Sequence, residues 1–463
     1  MARTAAMSGF PEFLPEQRFV ELHLVEVLRR TFELHGFAPV ETRAVEPLDQ
    51  LLSKGETSKE VYVLRRLQAD PRQDAGADAG IGLHFDLTVP LARYVVENAG
   101  RLEFPFRRYQ VQKVWRGERP QEGRYREFTQ ADIDIVGRGE LAFHHDVEVA
   151  LVMAEALAAL PVPPLRLQVN NRRLIQGFYA GIGAEDVDAV MRVVDKIDKL
   201  SVDDVRALLV RDAGLSVDQA EQCLRLAEIR STDASFVERV RALGVGNDLL
   251  EQGLAELAAV VDGCASVVGG RVSVEADLRI ARGLDYYTGT VFETVMEGFE
   301  SLGSICSGGR YDALATDGRS TYPGVGISLG LSRMLVPLLS SGTLSASRPV
   351  PSAVLVALAD EASRGTSSAV ARRLRARGIA TEVAASPQRF GKQIRYAERR
   401  GIPFVWFPGD PGAADQVKDI RSGDQTDADP DTWSPPADDL RPRVVSTTRD
   451  GPTRSTDDEE QHP

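Results

Sequence analysis

Cysteine is scarce in this chain. Its three residues, Cys223, Cys264 and Cys306, are scattered over 463 residues with no CxxC spacing. That excludes a disulfide framework and a thiolate zinc site, and it fits a reducing compartment. Long apolar runs are also missing. No stretch approaches a membrane span, and the opening MARTAAMSGFPEFLPEQ lacks the apolar core of a signal peptide. A cytoplasmic protein with no membrane part is therefore expected. Positive charge is in deficit as well: 55 Lys and Arg against 68 Asp and Glu give a net charge of -13. Such a balance speaks against indiscriminate polyanion binding and leaves room for a local basic patch. What the chain does have is length for two or three domains and 43% hydrophobic residues to fill their cores.

The most informative stretch runs from Arg108 to Gly137. Tyr109, Val111, Lys113 and Trp115 alternate with Gln110, Gln112, Val114 and Arg116 in the period of a strand. A loop containing Gly117, Pro120, Gln121 and Gly123 leads to a second strand from about Phe128 to Val136. Its odd positions, Thr129, Ala131, Ile133 and Ile135, are small or apolar, and its even positions are Phe128, Gln130, Asp132 and Asp134. A solvated hairpin face would alternate in the same way. The loop favours a ligand site, because Arg116, Arg119, Arg124 and Arg126 crowd a short connection and guanidinium forks suit phosphate.

This stretch resembles motif 2 of the class II aminoacyl-tRNA synthetases in its histidyl-tRNA synthetase form. The resemblance rests on Arg116-Gly-Glu118-Arg-Pro, Gly-Arg124-Tyr-Arg-Glu-Phe128, Gln130 and Asp134. Other segments fit the same family in order. A helix from Glu16 to about Leu34, followed by an extended Phe37-Ala-Pro39-Val-Glu-Thr42, resembles motif 1, which implies a homodimer interface. Leu83-His84-Phe-Asp86-Leu87-Thr88-Val-Pro90 alternates so that His84, Asp86 and Thr88 share a face, and it resembles the family's histidine-binding loop. The arginine usual before the carboxylate is replaced in that neighbourhood by His84. Arg282-Gly-Leu-Asp-Tyr286-Tyr287-Thr-Gly289 and Ser307-Gly-Gly-Arg-Tyr311-Asp312 resemble the two histidine motifs. Pro323-Gly-Val-Gly-Ile-Ser-Leu-Gly330-Leu-Ser332-Arg333 resembles motif 3, with Ser332 where an acidic residue is commoner. Arg333 falls in the first turn of a helix, where the dipole disfavours it and a ligand phosphate would explain it. Cys306 reads as a small buried residue, since no histidine base accompanies it.

The expected architecture is α/β: an antiparallel class II sheet flanked by helices over 1–340, interrupted by a helical insertion at about 170–268. A linker at 341–350 precedes a C-terminal α/β anticodon-binding domain at 351–425. The remainder, 426–463, reads as a disordered tail from its Asp, Pro, Ser and Thr content. Nine basic residues between Arg372 and Arg400 make that last domain a candidate for local phosphate contacts.

The resemblance implies a chemistry: activation of L-histidine by ATP, with Mg²⁺ on the phosphates, then transfer to tRNA(His). It assigns Arg116 and Arg282 to catalysis, Arg116, Glu118, Arg124, Phe128 and Arg333 to ATP, and Asp86, Leu87, Thr88, Gln130, Asp134, Arg282, Tyr286 and Tyr287 to histidine. No resident metal is expected. A non-charging relative is the alternative, either a histidine-sensing regulatory subunit of ATP phosphoribosyltransferase or an adenylate-forming copy. Retention of Arg116, Arg282 and the C-terminal domain favours the charging enzyme.

Overall fold

The computed structural model describes residues 7–52, 60–66, 80–197, 199–267, 270–280, 287–410 and 412–447. The chain divides into two units, Met1–Pro11 with Val25–Pro337, and Glu12–Leu24 with Leu338–Pro463.

The first unit is organised on a sheet of nine strands: β1 (Ala38–Pro39), β2 (Phe106–Trp115), β3 (Glu127–Val136), β4 (Leu165–Asn171), β5 (Arg230–Ser231), β6 (Val272–Asp277), β7 (Thr290–Met296), β8 (Cys306–Thr316) and β9 (Thr321–Leu329). Their order across the sheet is β1-β2-β3-β9-β8-β7-β4-β6-β5. Every neighbouring pair is antiparallel except β1 with β2 and β4 with β6.

The alternation of β3 explains its place. Ala131, Ile133 and Ile135 are fully buried, and the helix His144–Ala158 packs against β3 and β9 with Val149, Val152 and Met153 also fully buried. Burying each isoleucine stabilises the unit by roughly 1.5–3 kcal/mol, and a one-residue slip would turn this row to the wrong side. The even positions of β3 are thereby committed to the opposite face, where β2 presents Arg108, Gln110 and Gln112 directly across from Asp134, Asp132 and Gln130.

The motif 1 helix runs Pro15–Leu34, with Val20, Leu24, Leu28 and Phe32 fully buried. The alternation at 83–90 ends sooner than its pattern suggests. The strand Ile81–Leu83 stops, and a helix starts at Thr88, because Asp86 accepts the Val89 N–H at 3.0 Å and so caps the first turn. His84 is turned fully inward instead of sharing a ligand face with Asp86. Within 172–263 the insertion is helical apart from β5, the longest described helix being Asp248–Gly263, with Asn171, Asp186, Ser201, Ser216 and Asn247 each accepting backbone N–H groups at a helix start.

In the second unit five strands, β10 (Val354–Val356), β11 (Thr381–Val383), β12 (Phe404–Phe407), β13 (Asp415–Asp419) and β14 (Gln425–Ala428), lie in the order β11-β10-β12-β13-β14. The first three run parallel and the last two antiparallel, which makes the sheet mixed.

The expected disordered tail begins too early. β14, at 425–428, pairs outside β13 and forms that edge of the sheet. Trp433 meets Phe404 and Trp406 edge-on at 5.3 and 5.5 Å, and Val444–Ser446 pairs with Leu344–Ala346. Polar composition hid a segment anchored by one aromatic side chain and by ion pairs such as Arg421–Asp439 at 2.8 Å. Residues 448–463 lie outside the described chain.

Candidate active site

A cavity of about 240 Å³ opens over the polar face of β3, lined by Arg116, Glu118, Arg124, Phe128, Gln130 and Arg333 together with Ser304, Ser307 and Ser328. Arg116 follows β2 directly. Its Nε donates to the Phe85 carbonyl at 3.0 Å, and its guanidinium lies 5.1 Å from the centre of the Phe128 ring. The side chain is therefore held beside the aromatic floor with its remaining N–H groups available to a ligand. Arg124 is half-exposed across the loop, with Nη1 3.9 Å from Glu118. Arg333 stands in the first turn of the helix Leu331–Ser340 and donates to the Leu302 carbonyl. Ser332 accepts the Thr129 N–H at 2.9 Å, so it ties the start of this helix to β3.

The floor is unusually rich in buried polar groups. Arg108, fully buried, places Nη2 2.6 Å from Asp134 and 3.9 Å from Asp132. Tyr311 on β8 donates its hydroxyl to Asp134 at 2.9 Å. Ser328 on β9 donates to Asp132 at 2.5 Å and accepts from the Gln130 amide. Burial, reinforced by Asp134 and Asp86 and opposed by Arg108 and Ser328, pushes the Asp132 carboxyl up to about 7. The close approach of β3 and β9 here depends on Gly326: a Cβ at this position would fall 2.1 Å from Asp134 Oδ1.

His84 supplies no cation where the family usually has an arginine. Its Nε2 faces the Lys113 carbonyl at 2.7 Å and must carry the proton, its ring stacks on Trp115 at 5.5 Å, and burial lowers its affinity for a second proton. Burial likewise pushes the Cys306 thiol up, in keeping with an unreactive core residue.

Six of the expected site residues, Arg116, Glu118, Arg124, Phe128, Gln130 and Arg333, thus line one cavity. Asp86, Leu87, Thr88, Asp134 and Tyr287 are outside its lining. Asp134 lies beneath the floor, Asp86 caps a helix, and the Leu87 side chain is fully buried, which leaves only its backbone for a ligand. The ring of Tyr287 lies against Gly309 on β8. Arg282 and Tyr286 fall outside the described residues. Arg108, Tyr311 and Ser328 were not singled out as site residues from sequence. The hairpin register, which sets Arg108 opposite Asp134, was the available signal for the first of them.

This combination, a phosphate-sized cluster of arginines over an aromatic and carboxylate floor on an antiparallel sheet, is that of a class II aminoacyl-tRNA synthetase. The family model described as histidyl-tRNA synthetase matches residues 9–334, and the anticodon binding domain model matches 352–430. A histidine–tRNA ligase of Cutibacterium acnes is 60% identical over 96% of this chain and 100% of its own length. One from Micrococcus luteus is 59% identical over 96% and 99%. The crystal structure of histidyl-tRNA synthetase from Nostoc superposes with a TM-score of 0.81 at 32% identity, covering 92% of this chain and 97% of that one. The chain belongs to the histidyl-tRNA synthetase family.

Proposed function

We propose that the protein is a histidine–tRNA ligase, which joins L-histidine to ATP as histidyl adenylate with release of pyrophosphate and then passes the histidyl group to the 3′ end of tRNA(His). The observation that carries the reading is the convergence of Arg116, Arg124 and Arg333 on one cavity whose floor is acidic and amide-rich. In the first step a histidine carboxylate oxygen attacks the α-phosphorus of ATP and the bond to pyrophosphate breaks. Two anions must approach, so the barrier is lowered by fixed cations more than by a proton acceptor. Arg116 is assigned to the α-phosphate, Arg124 and Arg333 to the outer phosphates, Phe128 to stacking on adenine, and Glu118 to its amino edge. Arg282 is assigned to the junction between carboxylate and phosphate. Asp86, Thr88, Gln130 and Asp134 are assigned to the α-ammonium and imidazole of histidine, with the Leu87 backbone and Tyr286 and Tyr287 completing that pocket.

In the second step a terminal ribose hydroxyl attacks the adenylate carbonyl and AMP leaves; a phosphate oxygen of the adenylate can take the hydroxyl proton. Mg²⁺ is assigned to ATP, bound mainly through its phosphates. The motif 1 helix exposes Leu22 and Leu34, which fits a homodimer face. No helix among the described residues is long and apolar enough to cross a membrane, and we place the enzyme in the cytoplasm.

The non-charging alternative is disfavoured by 60% identity over 96% of this chain to a histidine–tRNA ligase. A Bacillus halodurans structure titled as an ATP phosphoribosyltransferase regulatory subunit/histidyl-tRNA synthetase is only 20% identical at a TM-score of 0.69, a likeness of fold alone. The test is charging of a tRNA(His) transcript with labelled histidine alongside histidine-dependent pyrophosphate exchange. Both are expected. Exchange without charging would favour the alternative, and Arg282→Ala is expected to abolish exchange while leaving the thermal transition in place.

A further inference from the structure

Gln130 carries a buried side-chain oxygen with no hydrogen-bond partner among the described residues, although the residue is only 5% exposed and lines the cavity. Its amide nitrogen, by contrast, donates to Ser328 Oγ and, at 3.5 Å, to Asp132 Oδ1. Ser328 in turn donates its one hydroxyl proton to Asp132 at 2.5 Å. A hydroxyl has a single proton and two lone pairs, so donation to Asp132 obliges Ser328 to act as acceptor toward Gln130. The amide is thereby committed with its NH₂ toward Ser328 and its oxygen toward the cavity.

We propose that Asp132 is a positioning residue which, through Ser328, fixes the end of the Gln130 amide that faces the substrate, and so makes the pocket select the α-ammonium of its amino acid. The inference rests on the reading of the cavity as the histidine site. An ionised Asp132 can only accept a hydrogen bond, and this keeps the acceptor end of Gln130 outward. A protonated Asp132 can donate to Ser328, which frees the hydroxyl to donate to Gln130. The amide then turns and offers N–H groups to a cationic ligand, which is the wrong polarity.

The groups around Asp132 set how readily it changes state. Arg108 approaches from β2 at 3.9 Å, and Asp134 stands two residues along β3. The Cys306 thiol on β8 and Asp86 both interact with it electrostatically. Burial outweighs the single cation, and titration near pH 7 follows. A bound ammonium favours the ionised carboxyl, so histidine binding expels a proton from Asp132 and strengthens as pH rises through neutrality.

The experiment is the histidine KM in pyrophosphate exchange between pH 6 and 8 for wild type, Ser328→Ala and Asp132→Asn. Ser328→Ala removes the middle link and is expected to raise the histidine KM about tenfold, roughly one lost hydrogen bond to a charged group, with the ATP KM within about twofold of wild type. Asp132→Asn leaves an oxygen to accept from Ser328 and cannot gain a proton. The ratio of wild-type to variant KM cancels the titration of the substrate's own imidazole. For a group titrating near 7, that ratio should rise about tenfold from pH 8 to pH 6. A Ser328→Ala enzyme with wild-type histidine KM, or an Asp132→Asn enzyme that tracks wild type across this range, overturns the proposal. A wild-type protein with no histidine-dependent exchange would defeat the functional reading itself, an outcome visible before any variant is compared.

Discussion

At the scale of single residues, the energetics of the site floor turn on Arg108. It is fully buried with Asp134 2.6 Å away, and removing one member of such a pair leaves a charge without compensation. Arg108→Met is therefore expected to destabilise the first unit by about 3–5 kcal/mol, seen as a lower midpoint in denaturant. Methionine-for-arginine with no loss would mean that Tyr311 and the other groups around Asp134 suffice to hold it. The sequence made the polar face of β3 legible because period-2 alternation separates Gln130 and Asp134 from Ile133 and Ile135. It did not make Arg108, Ser328 or Tyr311 legible as partners, because they arrive from β2, β9 and β8, and Ser328 and Tyr311 are far from β3 in sequence. Local patterning says which face a side chain takes; it does not say who stands across from it.

At the scale of elements, the pairing of β3 with β9 is set by a missing side chain. A methyl group at Gly326 would meet Asp134 Oδ1 at 2.1 Å and the Ile133 carbonyl at 2.7 Å, contacts that the backbone of a central strand cannot relieve. Gly326→Ala should raise the histidine KM well before it affects ATP, because the displaced group is Asp134 and not an arginine. Equal losses for both substrates would show that the strands separate as a whole. The segment at 83–90 shows the converse limit of pattern reading. Its alternation is real in the sequence, yet the Asp86 cap wins locally and starts a helix at Thr88. Capping competes with strand extension wherever an aspartate precedes a helix-compatible run, and alternation over so few residues does not outweigh it.

At the scale of the whole molecule, the second unit is larger than its composition suggests. Trp433 closes one side of the sheet against Phe404 and Trp406, and Trp433→Ala is expected to cost about 1–3 kcal/mol, read as a lower melting temperature with pyrophosphate exchange retained at low temperature. An unchanged transition would mean that the aromatic contact adds nothing to the strands it covers. The acidic, proline-containing composition that suggested disorder still holds β14 and Val444–Ser446, since a few well-placed aromatic and ionic contacts can order a segment whose average polarity is high.

Several of the basic residues on this unit are already engaged by the chain itself. Arg373 is bound to Asp429 and Asp431, Arg375 to the Thr381 carbonyl, and Arg377 to carbonyls of Pro430, Thr432 and Trp433. A guanidinium already paired with carboxylates, as Arg373 is, sheds few counterions when RNA arrives, and those held by carbonyls, as Arg375 and Arg377 are, have fewer N–H groups left for phosphate, whereas the exposed Lys392 and Arg399 are free to contact it. A plot of log affinity for tRNA against log salt should therefore lose about one unit of slope in Lys392→Gln and almost none in Arg373→Gln, so that less of this surface's nominal charge is at the disposal of a nucleic acid than a tally of arginines would promise.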